Sequence, residues 1–456
     1  MSNNKDLYQA YYKLRIFKNK SQQNAYVNEK DPEKKREIPM FSTDDPKQAR
    51  LIRSSLVSIS VKEAIFQVPT LTLSFSDNHG AFSVLMQSLV LIDLEWGLIN
   101  KPYPYAKKDK DDLSSDDYFR QCIFYVQQRQ CTISDGRAII TIQCRSGRAS
   151  SGNKFTKTFK NGKLKDVLTR IATDYLQADK VDIDFKKPDP EKYFDSSGKS
   201  KFYKPLTITN KSPIEVIETY CNENNLRFYY NTYKKDGVPF SHVYILDDAS
   251  SVTVQQTDVR GIKGDFIKFN FMTINANVIS ADMDMNNSVP AGSNGTLVVG
   301  PDGKMNLVVQ PAEQETVIVY ELNEKAVKKE LKESGSNKNA LAIVQDIVLK
   351  EDLTPLLLDK YFIARPQATA PEGSGYIIKI KCLPNPLYQI GDKALFCPAY
   401  QNAPKNHPVP DIFRSRENSD GKWSKVYQVT SLEHNITGSG GYTMDVEIAQ
   451  FYGKKV

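Results

Sequence analysis

Long hydrophobic runs, clustered cysteines and clustered histidines are all missing from this chain of 456 residues. The most apolar stretch, SLVLIDLEWGLI at 88–99, falls far short of membrane-spanning length and carries Asp93 and Glu95, so it reads as a buried strand. The cysteines (Cys122, Cys131, Cys144, Cys221, Cys382, Cys397) show no CxxC spacing, which suggests neither a zinc module nor a disulfide framework and leaves reduced, mostly buried thiols as the expectation. His79, His242, His407 and His434 lie far apart with no HxH or HExxH, and no carboxylate set has calcium-loop spacing. No metal site is expected. Residues 1–9 are polar and no leader is visible, so the chain is expected to be made in the cytoplasm.

Phosphate chemistry is equally thin. GRASSGNKF (147–155) has Asn153 where a phosphate-binding loop needs lysine, and GPDGKMN (300–306) has Met305 in place of a hydroxyl, so both read as turns. No GxSxG nucleophile elbow occurs, and no cofactor is expected. The net charge is +7, and more than half of the excess sits in residues 1–50. Elsewhere Lys and Arg interleave with Asp and Glu, without the concentrated basic stripe of a nucleic-acid module.

What is present is β-structure. YYKLRIFKN (11–19) reads as a first strand, followed by a charged segment to about residue 50 that is either disordered or an arm docked on a neighbour. From 49 to 147 strand-like runs alternate with turn signals such as SDNHG, the acidic loop 107–117 and SDG, a rhythm of a barrel or sandwich. KLKDVLTRIATDYL (163–176) then places Leu164, Val167, Leu168, Ile171 and Tyr175 on one helical face. A second helix opens on SPIE, where Ser212 and Glu215 form a capping box around Pro213. The two helix-then-strand units make a small α/β domain over 155–248. Residues 265–285 return to β, 292–306 reads as a turn-rich hairpin, 322–362 reads as helical, and 375–399 and 426–452 read as β again.

Two places could carry catalysis. Asp93 and Glu95 stand two apart on one strand face within an apolar run, where two carboxylates would perturb each other and serve as the acid and base of a peptidoglycan hydrolase. The alternative is a structural strand whose carboxylates pair with lysines across the sheet or face an interface. His434 follows Glu433, but neighbours on a strand point to opposite faces, so the two make poor partners and a structural histidine is the competing reading. Asp116 and Asp117 fall in the charged loop and read as solvated.

Three stretches carry a family resemblance. SPIEVIETYCNENNLRFYYN (212–231) resembles a proline-capped helix running into an aromatic strand, and PNPLYQIGDKALF (384–396) a strand-turn-strand pivoting on Gly391-Asp392. VYQVTSLEHNITGSGGYTMDVEI (426–448) resembles a closing hairpin matched at Tyr427, Val429, Leu432, His434, Ile436, Gly441, Tyr442 and Thr443. Together they resemble the bacteriophage tail hub family, which includes baseplate hubs, the late control D proteins and the hub part of VgrG spikes. The resemblance covers most of 8–452, with the charged segment 19–50 and the helical part as additions to the minimal pattern.

The resemblance implies an α+β, mainly β chain with two tube-like β-barrel domains, an intervening small α/β domain and a helical insertion. The limits would be 1–50 for an N-terminal strand and charged arm, 51–154 for the first barrel, 155–248 for the α/β domain, 249–319 and 365–456 for the second barrel, and 320–364 for the insertion. It further implies a non-enzymatic homotrimer in the virion tail, partnered by the tail tube protein, a distal spike or tip protein, other baseplate proteins and a tape measure protein, with genomic DNA passing unread through its channel. No catalytic, cofactor or metal residue is implied. A VgrG-like hub of a secretion system, a tail-associated hydrolase acting through Asp93 and Glu95, and a secreted glycan-binding β-protein are the alternatives.

Overall fold

The computed structural model describes residues 7–77, 79–86, 91–101, 119–134, 137–146, 154–159, 164–184, 206–223, 226–235, 238–247, 266–271, 276–286, 294–299, 305–310, 318–322, 362–364, 375–398, 409, 413–417, 423 and 426–451. Among them no helix is long and apolar enough to cross a membrane.

The first part runs β1 (Leu7–Phe17), α1 (Lys20–Asn28), α2 (Pro32–Glu37), β2 (Phe41–Ser42), α3 (Pro46–Ser55), β3 (Leu56–Ala64), β4 (Thr70–Ser76), β5 (Leu91–Lys101), β6 (Phe119–Ser134) and β7 (Arg137–Ser146). Alternation decides which face turns inward: Leu71, Leu73 and Phe75 of β4 are buried while the residues between them are half-exposed. The strands pair antiparallel in the order β3-β4-β7-β6-β5-β1-β2 around one apolar core. The charged segment 19–50 is folded and docked. Asn19, Asp31 and Asp45 each accept a backbone N–H at the start of its three helices, which is why a polar stretch can be helical here.

The middle part holds β8 (Phe155–Phe159), α4 (Leu164–Arg170), β9 (Lys180–Asp184), β10 (Leu206–Lys211), α5 (Pro213–Glu223), β11 (Leu226–Lys235) and β12 (Val238–Asp247). Val167, Leu168 and Ile171 are buried on the face their spacing predicts, and α4 continues through a single π-helical turn to Tyr175. The capping box forms as expected: Glu215 N donates to Ser212 Oγ (3.2 Å) and Ser212 N to Glu215 Oε2 (2.6 Å). Those backbone and side-chain bonds from Ser212 hold the Glu215 carboxyl below its usual range. The helices cover a sheet ordered β11-β12-β9, in which β9 is parallel to β12, and β8 pairs with β10 beside it.

The last part comprises β13 (Ile267–Phe271), β14 (Val278–Asn286), β15 (Asn294–Val299), β16 (Met305–Gln310), β17 (Ile318–Leu322), β18 (Phe362–Ala364), β19 (Gly375–Cys382), β20 (Lys393–Pro398), β21 (Tyr427–Thr437) and β22 (Tyr442–Phe451). The hairpin expected at 292–306 is β15–β16. The helical part expected at 322–362 lies outside the described residues except at its ends, which are strand residues hydrogen-bonded side by side, Leu322 opposite Phe362.

The seven strands of the first part and six of the last share one 13-stranded sheet, joined at β21, while β15–β18 form a four-stranded sheet of their own. Its start pairs with β20, its later residues Ser431–Thr437 pair with β3, and β22 runs along its other side. The hairpin therefore serves two cores. Val429, Leu432, Met444, Val446 and Ile448 belong to the core of the last part, whereas Ile436 and Tyr442, nearer the tip, belong to the core of the first. The tip glycines divide the work. Gly440 adopts a φ of +88°, while Gly438 passes so close to β3 that a Cβ there would lie 1.8 Å from the Leu56 carbonyl oxygen. The sequence points to positive φ at Gly438, Gly440 and Gly441; of the three, Gly440 alone has it.

Candidate functional site

At the border of the two cores the inward register of three strands carries polar residues: Glu63 after Ile59 and Val61 on β3, Arg120 before Cys122 and Phe124 on β6, and His434 between Leu432 and Ile436 on β21. All three are at most 2% exposed. A charge so placed must find its partners inside the protein. Arg120 Nη2 donates to Glu63 Oε1 (2.5 Å) and to Thr232 Oγ1 (3.3 Å), Nε donates to the Thr232 carbonyl (2.9 Å), and Nη1 donates to the Tyr388 carbonyl (3.3 Å). One guanidinium thus ties β3, β11 of the middle part and the loop leading into β20.

Nη1 of Arg120 also faces His434 Nε2 at 3.4 Å, and His434 Nδ1 lies 2.8 Å from the Tyr442 hydroxyl. Because an arginine can only donate, Nε2 is the accepting nitrogen and the imidazole proton sits on Nδ1, directed at Tyr442. Burial, and then the neighbouring Arg120 charge, hold the His434 pKa well below its ordinary value, so the ring is neutral. Burial pushes the Glu63 carboxyl up, with Arg120 pulling against it. Trp96 closes the site, with the Arg120 guanidinium 5.5 Å from its ring centroid and the His434 ring edge-on at 5.7 Å. The cluster contains one cation, one anion and one neutral imidazole, all shielded from solvent. Its chemistry is to hold three parts of the chain in register.

The Gly391-Asp392 turn expected from the sequence docks on the same strand. Gly391 N donates to the Val429 carbonyl and Val429 N to the Asp392 carbonyl, both at 2.9 Å, while the Asp392 carboxylate accepts from Gln389 N at 2.9 Å. Asn231 Nδ2 donates to the neighbouring Ile390 carbonyl at 3.3 Å. Turn, hairpin and β11 are therefore one hydrogen-bonded junction.

Asp93 and Glu95 share a face of β5, as their spacing requires, and both are buried. Asp93 accepts from Arg15 Nη1 (3.1 Å) and from Gln121 Nε2 (2.8 Å). Its cross-strand cation is an arginine rather than a lysine, and Glu95 is bonded to Tyr11. Burial pushes the Asp93 carboxyl up against the pull of Arg15. Arg15 bridges onward to Asp44 Oδ2 at 2.6 Å, and although burial opposes it, this contact holds the Asp44 carboxyl below its usual range. Both carboxylates are thus buried and engaged by partners within the protein. Glu433 points away from His434 and accepts from Ser60 Oγ at 2.8 Å.

No family model matches the chain, and no curated protein matches it in sequence. Among solved structures it is similar to the tail protein of Neisseria meningitidis MC58, at 8% identity and a TM-score of 0.41 over 87% of this chain and 92% of that one. It is similar to the 43 kDa tail protein of prophage MuSo2 from Shewanella oneidensis, at 9% identity and a TM-score of 0.41 over 86% and 93% of the two chains. It is also similar to a chain of the half-lidded Francisella PdpA–VgrG complex, at 9% identity and a TM-score of 0.49 over 100% of this chain and 60% of that one.

Of the other histidines, His79 is exposed, and His242 is buried with Nε2 at 2.8 Å from Asp182 and its ring stacked on Tyr244. His407, Asp116 and Asp117 lie outside the described residues, as do residues 147–153 and 300–304 of the two glycine turns. Among the described residues no group of three His, Cys, Asp or Glu side chains could hold a metal ion. Arg120 and Glu63 escape sequence reading because each terminates an apolar alternation, a position that also suits an exposed strand end. Their one signal is that both continue the inward register.

Proposed function

We propose that this chain is a structural, non-enzymatic tail hub: a homotrimer whose ring connects a sixfold tail tube to a threefold distal spike or tip and lets DNA pass without reading it. The observation that carries this is the β21 junction. One hairpin serves two β cores and pairs their strands into a single sheet, so each chain offers two β modules fixed side by side. Three such chains in a closed ring present six modules, which is the arithmetic needed to pass from sixfold to threefold symmetry.

On this reading residues 51–154 and 249–319 with 365–456 are the two tube-like barrels, 155–248 is the α/β domain outside them, 320–364 is an insertion, and 1–50 supplies a strand and an arm. The partners would be the tail tube protein, the spike or tip protein, other baseplate proteins and the tape measure protein, in the virion tail. Exposed strand edges are satisfied when the ring closes. Light scattering with negative-stain imaging of the purified chain tests the reading: a ring of three chains with an open centre supports it.

A further inference from the structure

Residues 18–39, comprising α1 and α2, make a strap across the outside of β1 that has almost no apolar anchorage. Within residues 18–39 the buried side chains are Gln23 in α1 and Pro39 at the strap's end. Ala25 is exposed and Val27 is 54% exposed. Helices in a folded domain are ordinarily held by an apolar stripe. Here the fixing is a small polar and aromatic contact set centred on Tyr26. Its ring meets Phe17 edge-on at 5.4 Å and takes the Arg15 guanidinium at 5.4 Å, and its hydroxyl donates to Asp44 at 3.3 Å, while Lys35 of α2, within the strap, places its ammonium 4.8 Å from the same ring. The strap's ends are firmly seated: Phe17 is fully buried, Met40 and Phe41 pack on the first core, and Met40 N donates to the Ile16 carbonyl at 2.8 Å.

We infer that residues 18–39 are a releasable strap, closed by Tyr26 over the Arg15–Asp93 ion pair, which opens while both β cores stay folded. When it lifts, the Arg15 guanidinium and the Asp44 carboxylate lose the cover of Tyr26. The fixed ends keep the opening local. This holds whether or not the chain assembles into a ring.

Hydrogen–deuterium exchange on the full chain tests it. Segments with little buried apolar surface open sub-globally, so amides of α1 and α2 are expected to exchange at least ~100-fold faster than those of β4 and β21. Tyr26→Ala should abolish protection across α1 and α2 and leave β4 and β21 unchanged, while Tyr26→Phe, which keeps the ring and loses the bond to Asp44, should fall between. The inference is overturned if α1 exchanges as slowly as β4. It is equally overturned if Tyr26→Ala loosens the sheet along with the strap or prevents folding, because the segment would then be integral to the core.

Discussion

Arg120 is the side chain on which the junction turns, because its donors reach Glu63, Thr232, the Tyr388 carbonyl and His434. Replacing both members of a buried ion pair with apolar residues can be neutral, whereas removing one leaves the other charged and dry. Arg120→Met should therefore cost about 3–5 kcal/mol in urea unfolding, and the double change Arg120→Met with Glu63→Leu should recover part of that loss. His434 gives the junction a pH dependence whose sign follows from its environment. Since its folded pKa is depressed by burial and by Arg120, the unfolded chain takes up the proton first. The contribution is complete above the unfolded value near 6.5 and declines as pH falls below it, by at most about 1.4 kcal/mol per pH unit. Glu63 and Asp93, raised by burial, act in the opposite sense. The difference between the wild type and His434→Gln isolates the histidine: the variant should show the flatter loss of stability between neutral pH and pH 5.

At the scale of elements, the β21–β22 hairpin depends on a backbone contact that tolerates no side chain. Gly438→Ala sets a methyl against the fixed Leu56 carbonyl, so the tip must part from β3 at the upper end of the about 1–3 kcal/mol typical of overpacking. Gly440→Ala meets no neighbour and should cost only the strain of its left-handed backbone, about 1–2 kcal/mol. Thermal unfolding of the two variants separates the effects. Ser212→Ala removes one arm of the α5 capping box and should cost about 1 kcal/mol by the same measurement. Much of this level is legible in the sequence, because alternation, capping and turn chemistry are local: the inward face of β22, the box at SPIE and the Gly391-Asp392 turn all stand where their residues imply. The partners of the buried charges are not local. Arg120 and His434 are 314 residues apart, and nothing in either neighbourhood announces the other. The docking of residues 19–50 is likewise hidden, since the Arg15–Asp44 contact that accompanies it joins a strand to a loop whose side chains look like ordinary surface charge.

For the whole molecule, the sheet that runs through β21 makes the first part and six strands of the last one body, with the middle part pinned to it through Thr232 and Asn231. A hub that transmits load between tube and spike needs this rigidity, and a wall hydrolase needs an open carboxylate pair instead. Asp93→Asn leaves Arg15 short of a buried counter-charge and is expected to lower stability while changing no wall-degrading activity, tested by unfolding and by release of fragments from purified peptidoglycan. Loss of such activity with stability intact would favour the hydrolase. The homotrimeric ring is tested by the solution mass of the purified chain from light scattering, with negative-stain images of the same sample. A tail hub predicts three chain masses and a ring with an open centre; a monomer or a two-fold dimer at every accessible concentration, with and without the tail tube protein, would contradict it.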